Sequence, residues 1–423
     1  MSTQQFDRTA VWRPQPRPEW VQRINEEGSH LDLESVVPLD EESLIGAATK
    51  NTGLDDFGDD NWREPFSVFV NNVDKEANLT LMGRLMTRSD LILFLQARLQ
   101  VEDTYKRHPE IEDEVIEKPI YIVGQGRTGT SFLQSILDED PDNTTLTNWE
   151  TYFPCPPPEA ATYHTDPRIE KGDKLITMWN RVAPEIESMH EFWGAGPTES
   201  IHLHCMSFRS MSWMALLGQV PTYNQYMMGQ DGSLPYEYEK RVFKMLQWRN
   251  PRKRWVIKSP ASLFDMPHIL KVYPDARFIW THRDPVKAIS SLVSLVGTLF
   301  WMRSDHPFSG GSLEATVNTE IAAAGMAMPI DWFEQGIVPK RQVANIQYQD
   351  FVVHPIETIA RVYDELGLGM TDEARRRMQA YVHSHQRADR PAHRYEAGSD
   401  ELVSHDRALF KRYQDYFDVP NEV

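Results

Sequence analysis

The sequence predicts an α/β fold, a central parallel β-sheet flanked by helices with a helical N-terminal extension. Three observations carry that expectation. Residues 119–137, PIYIVGQGRTGTSFLQSIL, pass from an apolar β-prone run through a glycine turn into an amphipathic helix. Two later β-prone runs, at 255–257 and 276–281, end in Lys258 and in His282-Arg283, and helical patterns follow them. Before residue 119 the apolar residues recur only at helical spacing. The chain therefore divides into an extension over 1–118 and an α/β domain over 119–423, with an inserted helical acceptor region at about 156–250.

In the extension, Pro14, Pro16 and Pro18 keep the beginning irregular. Helices are expected at 39–52, 64–78 and 79–106. In the last, Leu81, Leu85, Ile92, Leu95 and Leu99 form a stripe, which reads as core or as a lid over an apolar substrate. Ser89 and Asp90 are a point where that helix could break or be capped again. An acidic linker, 110–117, leads into the first strand.

The turn after that strand is a ready anion site. The first N–H groups of a helix have no internal partner, and the helix dipole favours negative charge there. Gly124, Gly129 and Ser131 fit the spacing GxxxxGK[ST] of a nucleoside-triphosphate loop, but Thr130 stands where the lysine belongs. That lysine normally reaches the β/γ phosphates, so its absence argues against ATP hydrolysis. Arg127 is the loop's cation, and a less charged, metal-free nucleotide fits better.

A second strand at 144–147 would deliver Glu150 beside this loop, because ligands of open α/β sheets bind at the carboxyl ends of strands. A carboxylate there can take a proton from a substrate hydroxyl, or simply cap a helix or pair with a cation. The stretch 156–230 holds His164, His190, Glu199, His202 and His204 among many Met and Trp residues. It reads as the wall of an acceptor pocket or as plain packing. No fourth ligand accompanies His202 and His204 at a convincing spacing, so no metal is expected. After a helix at 236–249, strand 255–257 presents Lys258, and strand 276–281 presents Arg283. A helix over 286–300 would place Ser291 nearly two turns along. A fifth strand, 342–347, ends at Tyr348. Helices follow at 356–366, 372–385 and 403–417, and His393, Arg394 and Tyr395 suit either a loop closing over a phosphate or ordinary surface.

Charge and composition narrow the class. Net charge is −18, from 44 basic and 62 acidic residues, which disfavours nucleic-acid partners. There is no run of about 18 apolar residues to span a membrane. Two cysteines, Cys155 and Cys205, make no disulfide framework, and the N-terminus lacks the apolar core of a signal peptide, so a cytoplasmic location is expected.

Four separated segments, GQGRTGTSF, WVIKSP, THRDPVKAISS and YQDFVVHP, together resemble the sulfotransferases that use 3′-phosphoadenosine 5′-phosphosulfate (PAPS). They are most similar to the bacterial branch with a GRTGT or PRSGT loop. The resemblance implies a P-loop-type sheet and PAPS as sulfuryl donor, without metal. It implies that Gly126, Arg127, Thr128, Gly129, Thr130 and Ser131 hold the 5′-phosphosulfate, with Gly126 standing in place of the usual proline. Lys258 would stabilise the transferring sulfuryl group, Arg283 and Ser291 would bind the 3′-phosphate, and Tyr348 and Arg394 would complete the nucleotide site. The cytosolic branch has a histidine base where this chain has Pro260, so the resemblance shifts the base to Glu150. The acceptor would be a hydroxyl on a small molecule, lipid or carbohydrate. Two rivals stand beside this reading, a P-loop small-molecule kinase and a non-catalytic nucleotide-binding protein.

Overall fold

Every strand of the sheet runs parallel, and each delivers its carboxyl end to the same edge. In the computed structural model, residues 7–190, 192–215, 217, 219–308, 317–385 and 398–423 are described. Strands β1 (Ile120–Gly124), β2 (Thr144–Thr145), β3 (Trp255–Lys258), β4 (Arg277–His282) and β5 (Val343–Gln347) lie in the order β2-β3-β1-β4-β5. From β1 the chain moves to one side for β2 and β3, then crosses β1 to form β4 and β5. Burial on both faces explains why β1 and β3 read as continuous apolar runs rather than as alternating ones: every residue of both is buried.

The register aligns the ends that matter. Ile122 pairs with Lys258, Gly124 with Thr281 and His282 with Gln347. The turn after β1, Lys258 as the last residue of β3, Arg283 just after β4 and Tyr348 just after β5 therefore meet at one edge.

Most expected helices form within a few residues of their anticipated ends, and three differences have physical causes. Strand β2 stops at Thr145, because Thr147 and Glu150 make a capping box that starts a helix at Asn148–Tyr152. Ser89 and Asp90 do not interrupt their helix, which runs unbroken over Leu81–Arg107. Asp90 is instead buried against Arg303, with its Oδ2 2.7 Å from Nη2, so the apparent break point is an inter-element ion pair. The last segment is two helices, Asp400–Leu409 and Lys411–Phe417, joined at Phe410. On the long helix, Leu95 and Leu99 are core, whereas Leu85 of the same stripe is exposed.

The N-terminal region packs against the α/β part. One cluster of buried apolar residues reaches from Val21 and Phe66 through Leu95 to Tyr121, Trp255 and Tyr413. Ahead of it, residues 8–17 lie along the helix Pro285–Trp301. Arg8 pairs with Asp406 and donates to Ser290 Oγ (2.8 Å), and Arg17 donates to the carbonyl of Trp301 (2.6 Å). Trp12 packs flat on Gly297, where any Cβ would lie 2.4 Å from the indole. Among the described residues, no helix is long and apolar enough to cross a membrane.

Candidate active site

Backbone strain concentrates in the turn after β1. Gly124 has φ +146°, Arg127 φ +75° and Gly129 φ +87°, all values that L side chains rarely adopt. At Gly129 the space is also taken: a Cβ would stand 3.2 Å from the Tyr348 ring. The helix Thr130–Leu137 begins directly after Gly129, and among the described residues no side chain caps it. Its first-turn N–H groups therefore face the turn. Thr128 fixes the turn from inside, its hydroxyl 2.7 Å from the Gln125 carbonyl and 2.6 Å from Thr281 Oγ1. Thr130 is buried at the first helical position, and Gly126 lies against Leu292, 3.3 Å from where its Cβ would be.

Among the described residues, three cations converge on this turn. Lys258 Nζ donates to Ser131 Oγ (2.9 Å). Arg127 reaches across the turn to Ser291 Oγ (3.1 Å) and to the Met189 carbonyl (2.6 Å). Arg283 Nη1 donates to the Arg127 carbonyl (3.0 Å), and its guanidinium lies 4.1 Å from the centre of the Tyr348 ring. Thus Arg127, Thr128, Gly129, Ser131, Lys258, Arg283, Ser291 and Tyr348 form one connected constellation. Arg394, with His393 and Tyr395, lies outside the described residues.

Glu150 is differently occupied. Its side chain is fully buried, and both carboxylate oxygens are engaged: Oε2 accepts from the Thr147 N–H (3.1 Å) and hydroxyl (2.8 Å), and Oε1 accepts from Arg252 Nη2 (2.7 Å). Burial works against the charge on Arg252, but Glu150 and Tyr163 hold its pKa above the ordinary arginine value. As the protein stands, Glu150 is a helix cap and an ion-pair partner.

The carboxylate beside Lys258 is Glu199, with Oε1 3.3 Å from Nζ and a quarter of its side chain exposed. Its position follows from the chain's path. Residues 193–199 cross the end of β2: the Trp149 N–H donates to Gly194 O, the Asn148 N–H to Gly196 O, and the Thr198 N–H to Leu146 O. Gln134 of the loop helix donates to Thr198 O (3.1 Å). Glu199 then pairs its backbone with Lys258 as a single parallel bridge. His190, stacked on Phe192, turns Nε2 to within 3.5 Å of the same Lys258 Nζ. Nothing local in the sequence signals this role for Glu199, which lies 59 residues from its partner and is brought to it by tertiary pairing.

Of the other histidines of this region, His202 and His204 are buried. His204 Nε2 lies 3.0 Å from Glu239 Oε2, and Glu239 in turn accepts from the Tyr121 hydroxyl. His202, beside Ser212, has its pKa pushed down to about 4 by burial. Met206 and Trp213 are core, whereas Met211 and Met214 are partly buried and pack with Leu292 and Phe308 on a small apolar cluster of Val293, Val296, Phe300 and Val317.

A model described as the sulfotransferase family matches residues 119–372. This chain belongs to the sulfotransferase family. It transfers a sulfuryl group to an acceptor. Among curated proteins, the sulfotransferase is 26% identical over 314 residues to the omega-hydroxy-beta-dihydromenaquinone-9 sulfotransferase Stf3 of Mycobacterium bovis and of Mycobacterium tuberculosis, a match covering 70% of this chain and 73% of each relative. Among solved structures, sulfotransferase STF9 from Mycobacterium avium superposes with TM-score 0.75 at 28% identity, covering 90% of this chain and 97% of that one. Sulfotransferase STF1 from Mycobacterium tuberculosis H37Rv gives 0.74 at 30% identity, covering 88% and 98%. The two structural likenesses cover more of the chain than the family model does.

Proposed function

We propose that this sulfotransferase uses PAPS as donor and sulfates a hydroxyl on a lipid or other largely apolar small molecule. The observation that carries the donor is the convergence of Arg127, Lys258 and Arg283 on an uncapped helix start, in a molecule of net charge −18. A phosphosulfate and a separate phosphate suit that charge without a metal. Arg127, Thr128, Gly129, Thr130 and Ser131 would hold the phosphosulfate, with Gly126 keeping the turn close. Arg283 and Ser291 would bind the 3′-phosphate, and Tyr348 would support both Gly129 and Arg283. Support for an apolar acceptor comes from Leu292, which touches both the turn at Gly126 and the apolar cluster with Met211, Met214 and Phe308. The acceptor after which the mycobacterial relative is named, a hydroxylated menaquinone, is of that class.

The residues divide the chemistry. Lys258 would hold the negative charge that builds on the transferring group and the leaving phosphate. The acceptor hydroxyl must lose a proton, and Glu199 is the reading the geometry favours: its carboxylate is partly exposed and already beside Lys258, whereas Glu150 is closed in by Thr147 and Arg252. His190 Nε2, 3.5 Å from Lys258 Nζ, is a second titratable group beside that lysine.

Calorimetric titration with 3′-phosphoadenosine 5′-phosphate in the absence of magnesium tests the donor. Binding to wild type that weakens strongly in Arg283→Ala is expected. Binding of ATP with magnesium and none of the 3′-phosphorylated nucleotide would favour a kinase instead. Transfer from PAPS to hydroxylated isoprenoid quinones and simple long-chain alcohols then tests the acceptor class, and bound nucleotide without transfer to any of them would favour a non-catalytic protein.

A further inference from the structure

Arg283 offers two edges. Its Nη1 is turned to the phosphate-binding loop through the Arg127 carbonyl. The other edge, Nε with Nη2, is the fork that takes a carboxylate or a phosphate in two parallel hydrogen bonds. Glu422 fills that fork: Nε donates to Oε1 and Nη2 to Oε2, both at 2.8 Å.

The pairing is built in by the segment that carries it. Asp418 turns the chain in a left-handed conformation after the helix Lys411–Phe417. Gln414 then holds the Val419 carbonyl (3.1 Å) and Asn421 Oδ1 (3.0 Å). Asp284, next to Arg283, accepts from the Glu422 N–H (2.6 Å) and is itself gripped by Arg407 through both oxygens (2.6 and 3.0 Å). Arg407 also donates to the Val423 carbonyl (2.8 Å). The same aspartate therefore anchors the tail and stands beside the arginine that the tail neutralises. The Glu422 side chain keeps 17% of its surface exposed, so an incoming anion can reach the pair from solvent.

We propose that Glu422 is a tethered competitor for the 3′-phosphate position, occupying the fork of Arg283 between turnovers and yielding it to the nucleotide. This rests on the reading of Arg283 as the 3′-phosphate ligand. A phosphate and the Glu422 carboxylate cannot both take the Nε/Nη2 edge, so every 3′-phosphorylated nucleotide binds at the expense of the tail. Apparent affinity is then the intrinsic affinity multiplied by the fraction of molecules in which the fork is open. A nucleotide with a plain 3′-hydroxyl meets no such competition. The tether also acts on the way out: as the 3′-phosphorylated product loosens, Glu422 recaptures Arg283 and favours release, a step that limits many enzymes.

The opposite role, in which Glu422 merely orients Arg283 for the phosphate, predicts the reverse sign. The test is calorimetry on the full chain, comparing wild type with Glu422→Gln and Glu422→Ala against 3′-phosphoadenosine 5′-phosphate and against adenosine 5′-monophosphate. Both variants should bind the 3′-phosphorylated nucleotide roughly tenfold more tightly, with the monophosphate changed less than about twofold. Affinity for the 3′-phosphorylated nucleotide that falls, or stays the same, in both variants overturns the proposal. If neither wild type nor variants bind it, the donor reading fails and this inference with it. If only the variants bind it, the tail is confirmed as the block.

Discussion

Two glutamates pair with two cations, Arg252 just before β3 and Lys258 at its end, and they do opposite things. Glu150 lies in the helix that follows β2, fully buried, with Thr147 and Arg252 consuming both its oxygens. Glu199 arrives from a segment laid across the end of β2, keeps a quarter of its side chain exposed, and faces Lys258 beside Ser131. The first arrangement is what a stable fold does with an acid it must bury: both members of the pair are hydrogen-bonded. The second places a partly exposed carboxylate beside a buried ammonium that an imidazole also approaches. Position after a motif points to the first glutamate, but accessibility points to the second.

Substitutions should separate the two sites by kind of effect. Lys258→Ala is expected to cost the most, about 10³-fold in kcat, because on the proposed mechanism it removes the cation at the developing charge. The rate of sulfuryl transfer from labelled PAPS measures it, with nucleotide binding followed in parallel and changed far less. Glu199→Gln should lower kcat by about 10²-fold while leaving the melting temperature nearly as in wild type. His190→Gln, assayed alongside, shows whether the imidazole rather than the carboxylate carries that loss.

Glu150→Gln sharpens the contrast from the other side. It leaves Arg252 charged in a buried place without its counter-ion, which should cost on the order of 3 kcal/mol of stability in denaturant unfolding. Turnover of the folded fraction, measured well below the melting temperature, should persist. Arg283→Ala acts on the donor and not on this comparison, and should weaken 3′-phosphoadenosine 5′-phosphate by roughly 10- to 100-fold in calorimetry.

Stability should also depend on pH. Burial pushes His202 and His282 down to about 4 in the folded protein, below the ordinary histidine value near 6.5. The unfolded chain therefore binds the extra protons first as pH falls. The stability these neutral histidines contribute is fully present above about pH 6.5 and is lost between there and about 4, at up to about 1.4 kcal/mol per pH unit for each. Thermal unfolding from pH 7 to 4.5 should show the midpoint falling, and His282→Asn should flatten that slope.

What the sequence discloses follows from how local each feature is. β1, its glycine turn and the loop helix are written in 18 consecutive residues, Ile120–Leu137, and Lys258, Arg283 and Tyr348 each sit at the end of a strand whose apolar run is visible. Short-range chemistry sufficed there. It did not suffice for Asp90, whose polarity looks like a helix break until Arg303 arrives from 213 residues away. Nor did it for Glu199, whose partner is joined through one backbone bridge, or for Glu422, which meets Arg283 only because Gln414, Asp284 and Arg407 steer the last residues back. Each is a polar side chain whose meaning depends on a partner distant in the chain. The final helix divides at Phe410, which is fully buried.

The most direct test of the account compares single-turnover sulfuryl transfer from PAPS by wild type, Glu150→Gln and Glu199→Gln, at a temperature where unfolding curves show all three folded. The account predicts that Glu150→Gln transfers within about threefold of wild type and Glu199→Gln at least about 100-fold more slowly. A fast Glu199→Gln with a slow but folded Glu150→Gln would contradict it and return the proton-accepting role to the buried glutamate.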